Sequence, residues 1–146
     1  MADNNVMDYP RALHPLHAIL LAFPLPLFLG ALLSDLAYSS TYEVQWANFA
    51  SWLIAGAMLV GALATLWALI ECAVSGRQRT GKHVAYVIVL LAMLGVGFIN
   101  ALVHTKDGWA AMPAGLWLSV VVTLLALIAS WIGYAGLRAR EVSHAT

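Results

Sequence analysis

Charge is scarce in this chain, and so is thiol chemistry. Of its 146 residues, 10% are Asp, Glu, Lys or Arg, against 62% hydrophobic. A soluble domain carries about 25% charged residues, so this composition lies in the membrane class. The single cysteine, Cys72, excludes an internal disulfide framework and any multi-cysteine metal site. Formal charge balances at zero, so nothing points to a nucleic-acid or other polyanionic partner. The N-terminal stretch Met1–Tyr9 holds Asp3 and Asp8 but no basic flank. The apolar run that follows is also longer than a signal core and reads as a retained membrane helix. No nucleophile–base pair or catalytic signature is present, so independent enzyme action is not expected.

What the chain does have is long apolar runs. A helix rising about 1.5 Å per residue needs about 20 apolar residues to cross roughly 30 Å of hydrocarbon. Four segments qualify, at about 15–36, 46–71, 84–104 and 112–136. The expected fold is all-α: an integral membrane four-helix transmembrane bundle, residues 14–137, between polar tails at 1–13 and 138–146. Lys/Arg asymmetry sets the orientation. Arg11, Arg77, Arg79, Lys82, Arg138 and Arg140 share one side and Lys106 stands on the other, which puts both termini in the cytoplasm. Trp46 and Trp109, with Tyr38 and Tyr42, then mark the outer interface, and Trp131 and Tyr134 approach the inner one.

Local signals sharpen this outline. Pro15 suits the first helical position, with His14 as cap. Pro24 and Pro26 each remove a helical hydrogen bond and predict a kink. Ser39-Ser40-Thr41 reads as a polar turn, residues 75–82 as a loop, and 105–109 as a second turn. Pro113 opens the last helix. Ala57, Gly61 and Thr65 form a small-residue ladder, and Gly97 with Ala101 a second close-contact pair. Trp52, Trp67 and Trp117 are expected to pack within the spans.

Ionisable groups in a span are costly, about 2.5–3.5 kcal/mol at its centre on insertion scales, so their placement is informative. Here they form two layers. The inner layer holds His14, His17 and His83, with Glu71 expected to snorkel or pair with Arg77 or Arg79. Two readings stand for these histidines. They cap helices and meet headgroups, or His17 and His83, with His14 as alternate ligand, clamp the iron of a b-type haem. No other metal site is expected. The outer layer holds Asp35, Asn100 and His104, with Lys106 and Asp107. Asn100 and His104 are one turn apart and can reach Asp35 across the bundle. Again two readings stand: a polar clamp, or a proton- or quinone-handling site. Near the midplane only Asn100, Thr65, Ser119, Thr123 and Ser130 are polar, which disfavours a channel, and no internal repeat supports a transporter.

His14-Pro-Leu-His17, followed by Phe23-Pro24 and Asp35, resembles the opening signature of the domain of unknown function 2231 family. So does the end of the third span, Asn100-Ala-Leu-Val-His104 with Lys106-Asp107-Gly108-Trp109. The likeness runs from about residue 13 to 137. It implies a small four-helix protein of the bacterial inner membrane. Some relatives in that family carry a fused Rieske-type iron–sulfur domain, which implies a redox setting. Two functional expectations follow. One is a redox-associated membrane protein holding haem b; the other is a non-catalytic subunit, scaffold or assembly factor of a larger membrane complex. The partners implied are the lipid bilayer and other subunits of a membrane redox complex.

Overall fold

The computed structural model describes residues 14–74, 81–106 and 108–144, the side chains of 108, 109 and 136–144 excepted. Among the described residues there are six helices: α1 (Pro15–Ala22), α2 (Pro24–Thr41), α3 (Val44–Val74), α4 (Gly81–His104), α5 (Gly108–Ala111) and α6 (Ala114–His144). Four spans are long and apolar enough to cross a membrane: Pro15–Thr41, Val44–Val74, Gly81–His104 and Ala114–Ala135. The shortest has 22 residues, about 33 Å of helix, which matches the hydrocarbon thickness. The positively charged Arg11, Arg77 and Arg79 lie outside the described residues.

The first span begins as its sequence demands. His14 is extended, and its ring Nδ1 accepts a hydrogen bond from the Leu16 amide at 3.2 Å, while Pro15 occupies the first helical position. The expected kink is a break. α1 stops at Ala22 and α2 restarts at Pro24. Pro24 and Pro26 thereby fall in a first turn, where missing amides cost nothing. The linking Phe23 keeps helical torsions, and Leu27 N–H reaches its carbonyl at 3.2 Å, so the two helices continue as one span.

Ser39-Ser40-Thr41 is not a turn but the last turn of α2. The hydroxyls of Ser39, Ser40 and Thr41 donate to the carbonyls of Leu36, Ala37 and Ala37 at 2.8–3.0 Å, bonding back to their own helix. Reversal falls instead at Tyr42, whose φ of 58° is left-handed and whose amide bonds the Tyr38 carbonyl. Residues 108–111, read partly as turn, form the short α5.

The spans pack in a ring: α2 on α3, α3 on α4, α4 on α6, and α6 on α2. The first and third spans therefore face each other diagonally through the centre. They run parallel, and His17–Tyr86 and Asp35–His104 meet at the same sequence offset, 69. Phe28 meets Gly97 on that offset too: a Cβ at Gly97 would stand 3.2 Å from Phe28 Cζ. The small-residue ladder lies inside as expected, with Ala57, Gly61 and Thr65 all buried. Gly61 lets α3 approach both sides, facing Met93 of α4 and Pro24 of α2.

Large apolar residues cover the outside. Trp52 and Trp117, expected to pack within the bundle, are 74% and 66% exposed, and Trp131 is 73% exposed. Lipid is as apolar as a core, so nothing drives these rings inward, and the interior instead selects small residues. Each span is apolar on every side, as a membrane helix must be.

This packing predicts a contrast between two glycines on α4. Gly97→Leu forces Phe28, which is fully buried, out of its place and lowers stability by about 1–3 kcal/mol. Gly95→Leu meets nothing within 4 Å and leaves stability within about 0.5 kcal/mol. Unfolding of both variants in detergent checks this.

Candidate functional site

The polar interior is divided between the two ends of the bundle, as expected. Tyr86 and His104 mark the layers on α4; they are eighteen residues apart, about 27 Å of helix. Between them the described hydroxyls turn back on their own helices. Thr65 donates to the Gly61 carbonyl, Thr123 to that of Ser119 and Ser34 to that of Gly30, at 2.6–2.8 Å.

At the end beside the α2–α3 turn, four side chains close a ring. Asn100 Nδ2 donates to Ser119 Oγ at 2.9 Å, and Ser119 Oγ donates to Asp35 Oδ2 at 2.6 Å. Asp35 Oδ1 lies 2.9 Å from His104 Nε2, and His104 Nδ1 lies 2.9 Å from the Asn100 carbonyl. The side chains of Asp35 and His104 are 0% and 2% exposed. The expected trio of Asp35, Asn100 and His104 is therefore together, but Asn100 reaches Asp35 only through Ser119.

Proton accounting follows from the acceptors. A backbone carbonyl only accepts, so His104 Nδ1 carries a hydrogen. One further proton must lie between His104 Nε2 and Asp35 Oδ1, either as carboxylate with imidazolium or as carboxylic acid with neutral imidazole. Both arrangements are net neutral, which is what a low-dielectric interior tolerates. Ser119 has one hydrogen and gives it to the carboxyl, so it must accept from Asn100, which fixes the amide's orientation. That leaves Asn100 Oδ1 buried and without a partner among the described residues. Gly115 makes room for the ring, since a Cβ there would stand 2.8 Å from His104 Cε1.

At the end nearer the termini, His17 is fully buried and its Nε2 lies 2.8 Å from the Tyr86 hydroxyl. Trp67 packs between two histidines. It stacks on His14 with centroids 5.1 Å apart and meets His17 edge-on at 6.3 Å. Its indole donates to Glu71 Oε1 at 2.8 Å; Arg77 and Arg79, the partners expected for Glu71, fall outside the described residues. Tyr134 donates to the Ala18 carbonyl at 2.7 Å, tying α6 to α1. Gly133 lets α6 lie against Tyr86. His17 Nδ1 and His83 Nε2 are buried without partners. Among the described residues no group of three or more His, Cys, Asp or Glu could hold a metal ion.

Sequence reasoning placed His17 opposite His83, and the structure gives its Nε2 to Tyr86, one turn further along α4. Ser119 had stood only as a midplane hydroxyl and Tyr134 only as part of the inner aromatic belt, and Tyr86 was missed. The signal available for Tyr86 was its spacing: eighteen residues before His104, the same as His17 before Asp35.

These features define a multi-pass α-helical membrane protein whose polar residues are gathered into two buried end layers. The chain belongs to the family described as Predicted membrane protein (DUF2231), whose model matches residues 13–142. No curated protein and no solved structure matches it.

Two substitutions test the layers. Gly115→Ala drives a methyl into an imidazole held at both nitrogens and lowers stability by about 1–3 kcal/mol. Tyr86→Phe removes one neutral interhelical bond and costs only about 0.6–1.7 kcal/mol. Denaturant titration in mixed micelles reads both.

Proposed function

We propose that this protein is a non-catalytic subunit or scaffold of a larger complex in the bacterial inner membrane, with both termini cytoplasmic. One observation carries the reading: the fully buried ionisable side chains of Asp35 and His17 bond to other spans. Asp35 joins His104 and Ser119, and His17 joins Tyr86. Such bonds fix the relative depth of helices that the hydrophobic effect cannot order inside lipid. The outward Trp52, Trp117 and Trp131 give flat, rigid aromatic area of the kind that anchors partner helices.

In native membranes extracted with mild detergent, the chain migrates in an assembly larger than its own detergent-bound monomer. Replacing the three outward tryptophans with leucine releases it from that assembly without lowering its thermal stability. A wild-type chain that migrates only as the monomer contradicts the proposal.

The second reading, a redox protein holding haem b, is favoured by the two unpartnered imidazole nitrogens, His17 Nδ1 and His83 Nε2. Ligation through His17 Nδ1 would leave Nε2–H donating to Tyr86, the outer bond that metal-bound imidazoles usually make. When bound, the haem supplies one-electron chemistry, and His17 and His83 would hold it, with His14 the alternate. His83→Ala separates the readings. Its Nε2 has no bond to lose, so the scaffold keeps its stability, whereas the haem protein loses its dithionite-reduced absorption bands.

A further inference from the structure

We propose that Asp35 and His104 form a proton-binding site, and that Ser119 and Asn100 form a reversible relay attached to it. The site goes beyond the scaffold reading and does not depend on it. Its basis is the direction of the Asn100–Ser119 and Ser119–Asp35 bonds and the one buried acceptor that the ring leaves over.

As the ring stands, Asn100 donates to Ser119 and Ser119 to Asp35 Oδ2, with one proton shared between Asp35 Oδ1 and His104 Nε2. A second proton cannot enter between Oδ1 and Nε2, because one proton already lies there. It binds Oδ2. The Asp35 Oδ2–H then donates to Ser119, so the Ser119 hydrogen needs a new acceptor. Asn100 Oδ1 is the unpartnered atom, and half a turn of the amide presents it to Ser119. The relay now runs from Asp35 through Ser119 to Asn100, the reverse of its first direction. One proton has been gained, no covalent bond other than O–H has changed, and the added positive charge rests on the His104 imidazolium.

A groove of about 250 Å³ lined by Tyr38, Ser39, Tyr42, Met112 and Pro113 opens at this end of the bundle. Tyr38 is one turn beyond Asp35 on α2, and Pro113 is two residues before the Gly115 that backs His104. The space has room for several waters, each of which occupies about 30 Å³ in the liquid. Few other charges bear on the pair. On α2 the other titratable group is Tyr38. Past the end of α4 comes Lys106, and Glu43 stands before α3; both are exposed. The facing halves of α3 (44–57) and α6 (114–130), and all of α5, contain no titratable residue. Asp107 lies outside the described residues.

Infrared difference spectroscopy of the full chain in lipid nanodiscs, titrated from roughly pH 8 to pH 4, tests the proposal. Wild-type protein should gain a carboxylic-acid C=O band on acidification that the Asp35→Asn protein lacks. Ser119→Ala, which removes the donor to Oδ2, should move the midpoint of that band by about one pH unit. Asn100→Leu should move it as well, because the reversed relay has lost its acceptor. If Asp35→Asn does not fold, the Ser119→Ala and Asn100→Leu titrations against wild type decide the matter. Titrations of all three that superimpose would overturn the site, as would a carboxyl band that persists unchanged in Asp35→Asn.

Discussion

A carboxyl group inside a bundle surrounded by hydrocarbon must find its partners within the protein, and Asp35 finds two on two different spans. Its oxygens meet His104 of α4 and Ser119 of α6. The pairing is neutral as a unit, which limits the desolvation penalty that an isolated charge would incur. It also fixes depth. Two spans that could slide past one another in lipid are held at an offset of 69, and His17 with Tyr86 repeats that offset at the other end. Two polar layers at one register leave the middle of the bundle to Phe28, Leu90, Met93 and small residues, all fully buried.

The glycines and prolines serve that arrangement. Gly115 and Gly133 on α6 open space for the two rings that do the pairing, His104 and Tyr86. Gly61 and Gly97 do the same for the apolar middle, accepting Met93 and Phe28. Pro24 breaks the first span where Gly61 approaches it. The break lies between His17 and Asp35, and both of these residues are nevertheless fully buried. A proline-interrupted helix can hold both layers because the restart at Pro24 keeps the chain helical across Phe23.

Much of this was legible in the sequence, for reasons that belong to the bilayer. Span existence follows from hydrocarbon thickness, and capping by His14 and Pro15 follows from the orphan amides of a helix start. Asp35, Asn100 and His104 were recognisable because polar and ionisable groups in apolar runs seldom lack a reason. Ser119 was not, since a serine in a membrane helix usually bonds its own backbone, as Thr65 and Thr123 do here. Tyr86 was hidden by His83, one turn away with the better-known ligand chemistry. Trp52 and Trp117 misled because aromatic bulk signals a core only where the alternative is water. Ser39, Ser40 and Thr41 misled because polar residues at a helix end either leave the helix or bond back to its carbonyls, and composition does not separate the two.

The Asp35–His104 pair holds the diagonal spans together. A double-mutant cycle with Asp35→Ala, His104→Ala and the double variant, unfolded reversibly in lipid, measures it most directly. The expected result is a favourable coupling of about 1.5–3 kcal/mol, the upper range for residues sharing one network. A coupling at or below about 0.6 kcal/mol, the average for neutral interhelical hydrogen bonds in a membrane, would contradict it.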